Sequence, residues 1–351
     1  MSDTANAATI LEIARRIRAP RAKVFAAFTE GEHFRRWWGP KGFVVGALAL
    51  EAKPGGAYRV EMISAEGNTH VLSGTYREVK APERLVFTWR WGEGKDQGPE
   101  SLVTLDFAEA GGETDMRVRH EGFPDRAARD SHQTGWSSSL DRLAWSALEP
   151  TVYGSAPSTY TRTVRMALVE KGVPYRLESA DFGSDALLAR HPFNKIPAFK
   201  AGEVALFETA AICRYIDEAF DGPALQPSSP EGRARATQWM SAVADYIYPT
   251  LVRDIIIQRI VVPRRGGTPD EARIAAAKPM AERQILILDR FLGENPYLAG
   301  AQATLADFFL APIIAYAAMV PDTKDLVAKA PNLSSWFTRV SNRTSFKATA
   351  G

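Results

Sequence analysis

The chain has 351 residues, 45% of them hydrophobic and 24% charged, and a formal net charge of +2. Basic and acidic residues number 20 and 21 in positions 1–149 and 23 and 20 in positions 150–351, so neither half has the basic excess of a nucleic-acid or anionic-membrane binder. The single cysteine, Cys213, excludes an internal disulfide and a cysteine metal cluster.

The length predicts at least two domains. No apolar run approaches the roughly 20 residues that a membrane helix needs. The opening stretch MSDTANAATI lacks a basic region leading into an apolar run. No export signal is therefore expected, and a cytoplasmic location is.

In chain order, Ile10–Ile17 reads as a strand and Arg21–Phe28 as a short helix with Val24, Phe25 and Phe28 on one face. Alternating stretches follow at Tyr58–Ile63, Val71–Glu78, Leu85–Trp91, Leu102–Phe107 and Asp115–His120. Turn residues such as Glu66-Gly67-Asn68 and Gly111-Gly112 separate them. Trp136, Leu140, Leu143 and Ala147 then recur at helical spacing. An antiparallel sheet wrapped around one long helix accounts for this order. Trp37, Trp38, Phe43, Tyr58, Met62, Trp89 and Trp136 can line a cavity between sheet and helix, or simply fill the core. His120 shares a strand face with Met116 and Val118 and is expected to be buried and hydrogen-bonded rather than catalytic. His33, His70 and His132 lack metal-ligand spacing.

Arg36-Trp37-Trp38-Gly39-Pro40, Gly55-Gly56-Ala57-Tyr58, Gly74-Thr75-Tyr76, Pro82-Glu83-Arg84-Leu85 and Gly135-Trp136 carry a resemblance. The segment resembles the START-like (SRPBCC) helix-grip superfamily, and within it homologues of the activator of the ninety-kilodalton heat-shock chaperone ATPase. The resemblance implies an α+β helix-grip domain over residues 8–148, with a hydrophobic ligand as its expected partner. It does not specify an activity.

Leu148-Glu149-Pro150 is the visible linker, too short for a flexible tether. Beyond it, Thr151–Tyr153 reads as a strand, Thr159–Lys171 as a helix ended by Gly172, and Tyr175–Ser179 as a strand. Two more strands, Ala198–Lys200 and Val204–Phe207, precede a helix from Glu208 to Ala219. The order βαβ, then ββα, is a thioredoxin-like layout. From Gly232 onward the pattern is helical throughout. An Ile196 held ahead of Pro197 can present its backbone to a peptide. Glu208 and Thr209 stand where a helix begins, so free N–H groups and the positive dipole end can hold a carboxylate, and Glu208 can accept from an ammonium group.

Several separated motifs in this half resemble the glutathione transferase family, most closely its phi class and bacterial relatives. They are Val152-Tyr153-Gly154 with Ser158-Thr159-Tyr160-Thr161-Arg162, then Arg190-His191-Pro192-Phe193 with Ile196-Pro197-Ala198-Phe199, Glu208-Thr209, and Tyr297-Leu298-Ala299-Gly300 with Thr304-Leu305-Ala306-Asp307. The resemblance implies a thioredoxin-like domain over 150–225 and an all-helical domain over 230–351. It implies glutathione as co-substrate, a small apolar electrophile and a homodimer. By position it makes Ser158 the group that stabilises the glutathione thiolate, Pro197 a cis-proline, and Lys195, Ile196, Pro197, Glu208 and Thr209 the glutathione-binding residues.

Ser158 also reads as a helix N-cap, with Tyr153, Thr159 and Tyr160 as substitute donors. Tyr160, Tyr246, Tyr248 and Arg253 are the electrophile-site candidates. No metal is expected. Asp181-Phe182-Gly183-Ser184-Asp185 is acidic where phi members carry a basic pair for the glycine carboxylate, although Asp185 can instead cap a helix over Ala186–Ala189. Asp307 fits a capping box and Cys213 a packing role. The rival to an enzyme is a hydrophobic-ligand carrier without turnover, or a chaperone-associated regulator.

Overall fold

The computed structural model describes residues 9–64, 67–94, 97–220 and 222–350. The opening residues 1–8, Glu66 of the first turn and residue 351 lie outside the described residues. The chain divides into two compact units that change over between Pro150 and Thr151, with Gly172–Tyr175 grouped with the first.

In the first unit, strands β1 (Ile10–Ile17), β2 (Val44–Leu50), β3 (Ala57–Ile63), β4 (Thr69–Lys80), β5 (Arg84–Trp91), β6 (Ser101–Ala110) and β7 (Glu113–Glu121) form a seven-stranded sheet. Its order is β1-β7-β6-β5-β4-β3-β2, antiparallel throughout. Alternation sets which face is buried: Tyr58, Val60 and Met62 in β3, and Met116, Val118 and His120 in β7, all point into the core. Helices α1 (Arg21–Thr29) and α2 (Gly31–Phe34) follow β1, and α3 (Arg126–Ala147) closes the unit. Asp125 caps α3 by accepting from the Ala128 N–H at 2.8 Å, and Trp136, Leu140 and Leu143 form its buried stripe.

Two elements here escape the sequence reading. β2, VVGALAL, is apolar along its whole length and carries an irregularity between Val45 and Leu48, so the period-two signal is lost. The short α2 has too few residues to show a helical stripe. Gly74 is demanded by the sheet itself: a Cβ there would lie 1.9 Å from the Thr88 carbonyl oxygen of β5. Arg142 of α3 ties down the Trp37-Trp38-Gly39-Pro40 segment, donating to the carbonyls of Gly39 at 2.8 Å and Phe43 at 3.1 Å.

The second unit contains a four-stranded sheet in the order β11-β10-β8-β9. β8 (Thr151–Tyr153) and β9 (Arg176–Glu178) are parallel, while β10 (Ala198–Ala201) pairs antiparallel with β8 and with β11 (Val204–Phe207). α4 (Thr159–Lys171) makes the crossover from β8 to β9, and α6 (Thr209–Ala219) follows β11. This is the thioredoxin-like layout expected. The short helix between them, α5, spans Asp185–Leu188, and its cap is Ser184, which accepts from the Leu187 N–H at 3.2 Å. Asp185 is thus the first helical residue rather than the cap.

The remainder is helical: α7 (Pro230–Ala242), α8 (Val243–Val261), α9 (Val262–Arg264), α10 (Glu271–Glu294), α11 (Leu305–Ala317), α12 (Lys324–Ala328), α13 (Pro331–Ser341) and α14 (Thr344–Ala348). α8 is wound as a wide π-type helix, closed by a bond from the Val262 N–H to the Ile257 carbonyl. Asp307 is fully buried at the start of α11. Its carboxylate accepts from the N–H groups of Leu298 at 3.0 Å and Thr304 at 2.8 Å and from Trp336 Nε1 at 2.8 Å. It is the capping anchor that the sequence pattern suggested. Among the described residues no helix is long and apolar enough to cross a membrane.

Asp322 joins three elements of the helical half. Its side chain is only 4% exposed, it accepts from Arg259 of α8, and Lys278 Nζ of α10 lies 2.8 Å away. The Arg259 hydrogen bond, with Lys278 adding to it, holds its carboxyl down at about 2 against an ordinary 3.8. A depressed folded-state pKa gives stability that is complete above the unfolded value and is lost as pH falls through the folded one. Urea unfolding should therefore show the unit weakening between pH 4 and pH 2. Asp322→Asn should flatten that slope and lower stability at pH 7 by about 1–2 kcal/mol.

Candidate functional site

β8 leads into the loop Gly154-Ser155-Ala156-Pro157-Ser158, which turns into α4. Ser158 Oγ accepts from the Thr161 N–H at 3.3 Å and its carbonyl accepts from the Arg162 N–H at 2.9 Å, so Ser158 caps the helix. Tyr316 of α11 fixes the loop from the other side, its hydroxyl donating to the Pro157 carbonyl at 2.9 Å. A capping hydroxyl that accepts one bond still has its own proton to donate.

The second contribution comes from the loop before β10. The Ile196–Pro197 peptide bond is cis. Asn194, at φ 52, accepts from the Gly183 N–H at 2.8 Å and so joins this loop to the acidic Asp181–Asp185 stretch. The third comes from the β11–α6 junction. Glu208 sits there at φ 68, a left-handed backbone uncommon for any residue but glycine. Its side chain is 66% exposed, and α6 begins with the next residue.

α4, the loop before β10 and the β11–α6 junction meet α7, α8 and α11 around a cavity of about 460 Å³. Tyr160, Lys195, Ile196, Pro197, Glu208, Thr209, Tyr248 and Arg253 all line it, eight of the ten residues singled out from sequence. The start of α6 therefore opens onto the cavity with its unsatisfied N–H groups and positive dipole end. Tyr160 and Tyr248 stack in parallel, ring centroids 4.5 Å apart, and Arg253 lies 5.6 Å from the Tyr248 ring. Burial raises both phenols above the ordinary tyrosine range, so they are protonated donors at neutral pH.

The two exceptions are Ser158 and Tyr246. Ser158 is absent from the cavity lining, while Tyr160, two residues on, is part of it. Tyr246 is largely exposed and lines a separate groove with Ile287 and Leu288. Residues two apart on a helix point to different sides, so Tyr246 and Tyr248 cannot share one site.

The sequence reading assigned no role to His191 or Asp245, both of which line the cavity. His191 is buried against Phe207, with ring centroids 5.0 Å apart, and its Nε2 lies 4.0 Å from Glu208 Oε1. Burial, the dominant effect, holds its imidazole below the ordinary value. Its place inside the cis-proline motif was the signal available. Cys213 is fully buried in α6, and burial pushes its thiol far up, so it is packing rather than chemistry.

The first unit has its own cavity of about 250 Å³, lined by Trp38, Phe43, Met62, Trp89 and Trp136 as anticipated. Trp91, His70 and His132 join them. Trp37 and Tyr58 do not. Trp37 donates its indole N–H to the Ala27 carbonyl at 2.9 Å, and the Tyr58 hydroxyl donates to the Thr88 carbonyl at 2.7 Å. Trp136 donates to His120 Nδ1 at 3.1 Å, which leaves the proton on Nε2 to meet Ser101 Oγ at 2.8 Å. Burial foremost, with His132 nearby, brings His120 down to about 3. Trp91 donates to His132 Nε2 at 3.0 Å, and His132 Nδ1 meets the Ala128 carbonyl at 2.8 Å. Both histidines thereby have a partner at each ring nitrogen. Among the described residues no group of three or more His, Cys, Asp or Glu is placed to hold a metal.

The second unit is thus a thioredoxin-like half completed by a helical half, with the cavity between them. Comparison with known proteins places this architecture. The family model for the glutathione S-transferase N-terminal domain matches residues 152–224, and that for the C-terminal domain matches 239–344. Glutathione S-transferase F14 of Arabidopsis thaliana is 31% identical over 193 residues, covering 51% of this chain and 74% of that protein. The crystal structure of glutathione transferase F7 from Populus trichocarpa superposes with a TM-score of 0.54 at 29% identity, over 57% of this chain and 97% of that one. A maize glutathione S-transferase I, in complex with an atrazine glutathione conjugate, gives 0.53 at 25% identity, over 57% and 96%. The chain belongs to the glutathione S-transferase family. Residues 18–146 match the family of activator of Hsp90 ATPase homolog 1-like proteins, so the transferase is fused behind a helix-grip domain of that type.

Proposed function

We propose that the second unit transfers the sulfur of glutathione to a small apolar electrophile. The observation that carries this is the β11–α6 junction: a left-handed Glu208 and a buried Thr209 open the helix directly onto the shared cavity. There the γ-glutamyl carboxylate would meet the α6 N-terminus and Thr209, its ammonium Glu208, and its cysteinyl backbone Ile196, with Pro197 shaping the loop and Lys195 at the rim. Tyr160, Tyr248 and Arg253 would face the electrophile. The maize relative holds an atrazine glutathione conjugate, a product of this reaction class. A free thiol, with a pKa of about 8.5, is only about 3% thiolate at pH 7. Donation from the Ser158 hydroxyl and the positive end of α4 would raise that fraction.

Turnover of glutathione with 1-chloro-2,4-dinitrobenzene tests the reading: the thiolate forms the C–S bond and chloride leaves with the electron pair. Absence of turnover, together with a melting temperature indifferent to glutathione, would remove it. Glu208→Gln should raise KM for glutathione about tenfold or more while kcat changes little, since a charged hydrogen bond is worth about 1.5–3 kcal/mol.

A second reading, a ligand carrier without turnover, draws on two observations: Ser158 stands outside the cavity lining, and the Asp181–Asp185 stretch is acidic. We propose also that the aromatic cavity of the first unit holds an apolar ligand, and that the protein works in the cytoplasm as a homodimer. Sedimentation at micromolar concentration checks the dimer.

A further inference from the structure

Arg253 owes its place in the second unit's cavity to the winding of α8. At 3.6 residues per turn, positions five apart lie on different sides of a helix. α8 instead closes its N–H to carbonyl bonds five residues apart, so Arg253 comes round to the side of Tyr248. Its guanidinium lies 5.6 Å from the Tyr248 ring, and both side chains line the cavity. Winding of this kind is rare in helices and recurs at functional sites.

The guanidinium is open and uncommitted. Arg253 is exposed and forms no ion pair among the described residues, although Asp245 lines the same cavity. Tyr160 stacks on Tyr248 and holds that ring in place beneath it. Burial raises both phenols, and Arg253 pulls each of them back toward its anion. A positive group that favours a phenolate at this wall favours any other oxyanion brought there. Thiolate attack sends negative charge into the electrophile. Of the two charges that α8 presents to the cavity, Arg253 assists that step and Asp245 opposes it.

We infer that Arg253 is a catalytic residue that receives the negative charge developing on an oxygen of the electrophile, and that it favours conjugated ketones over electrophiles whose charge departs with a leaving group. The inference rests on the glutathione-transfer reading and adds the electrophile's chemistry. With a conjugated ketone, the thiolate sulfur bonds the β-carbon and the C=C electron pair shifts to give an enolate, whose oxygen faces Arg253. The proton lost by the thiol returns through water to the α-carbon, and nothing else leaves.

Turnover of 4-phenyl-3-buten-2-one and of cinnamyl chloride by the full chain, each corrected for its uncatalysed rate, tests it. The two share a phenylpropenyl frame, but in the chloride the C–Cl bond breaks as the C–S bond forms and the charge leaves with chloride. Arg253→Met should lower kcat/KM for the ketone by about tenfold or more, the worth of a charged hydrogen bond, and for the chloride by less than about twofold. Arg253→Lys keeps the charge and should restore most of the ketone rate. Equal losses with both electrophiles, or no loss with the ketone, would overturn the inference. So would a wild type that conjugates the chloride, or 1-chloro-2,4-dinitrobenzene, but not the ketone. Each of those results leaves the transfer reading intact. A wild type inert toward all three would overturn that reading, and the inference with it.

Discussion

Ser158→Ala should lower conjugation to 1-chloro-2,4-dinitrobenzene by about 25-fold at pH 7, because losing a two-unit depression of the thiol pKa takes the thiolate from about three-quarters of the bound glutathione to about 3%. The loss should shrink as pH rises, because above the free thiol's pKa the thiolate forms unaided, and the two rate profiles should converge beyond about pH 9. That convergence separates a thiolate-stabilising hydroxyl from a merely structural one. The serine also caps α4 through the Thr161 N–H, so the variant should lose about 1 kcal/mol of stability. Ser158→Thr keeps both cap and hydroxyl and should keep most activity. Tyr160→Phe is the critical companion, since Tyr160 lines the cavity and Ser158 does not. A few-fold loss in Tyr160→Phe beside the large loss in Ser158→Ala supports the serine. The reverse pattern transfers the role to the tyrosine.

The contrast between those two residues marks where sequence stops informing. Chain order and hydrophobic period located most strands and helices: β1, β8, β11 and α4 fall on the residues read from the pattern. β2 escaped because an edge strand apolar along its length has no alternation to read. Motif spacing brought Lys195, Ile196, Pro197, Glu208 and Thr209 to one cavity, because each lies at an element end whose direction the layout dictates. The electrophile side was less legible. Tyr246 and Tyr248 look equivalent in a string, and only the helix turn sends one to the cavity and the other to an outer groove. Trp37 and Trp38 show the same on the first unit, one sealed in the core against Ala27 and the other at the cavity wall.

Asp217→Ala should be the most destabilising single change in the transferase unit, by about 3–5 kcal/mol. Lys171, at the end of α4, and Asp217, in α6, form an ion pair of 2.9 Å with side chains only 3% and 7% exposed. Neither residue belongs to the cavity. Truncating the acid leaves an ammonium group buried without a partner, and that penalty exceeds what the pair contributes in place. Asp217 carries a second load. Its carboxylate accepts from the Leu225 N–H at 2.8 Å and from Gln226 Nε2 at 3.0 Å, and the Leu225 carbonyl in turn accepts from the Leu305 N–H at 2.9 Å. One buried charge pair thus pins the segment joining the thioredoxin-like half to α11. The cavity draws its walls from both halves, so Asp217→Ala should loosen it, raising KM for glutathione in the fraction that stays folded. The double variant Lys171→Met with Asp217→Leu separates the two effects. Removing both charges should restore most of the unfolding free energy measured in urea, since a packed apolar pair of similar volume often matches a buried ion pair. The segment would still lack its anchor, so the KM defect should persist. Recovery of both together would confine the role of Asp217 to neutralising Lys171, and recovery of neither would mean that its bonds to Leu225 and Gln226 hold the halves together.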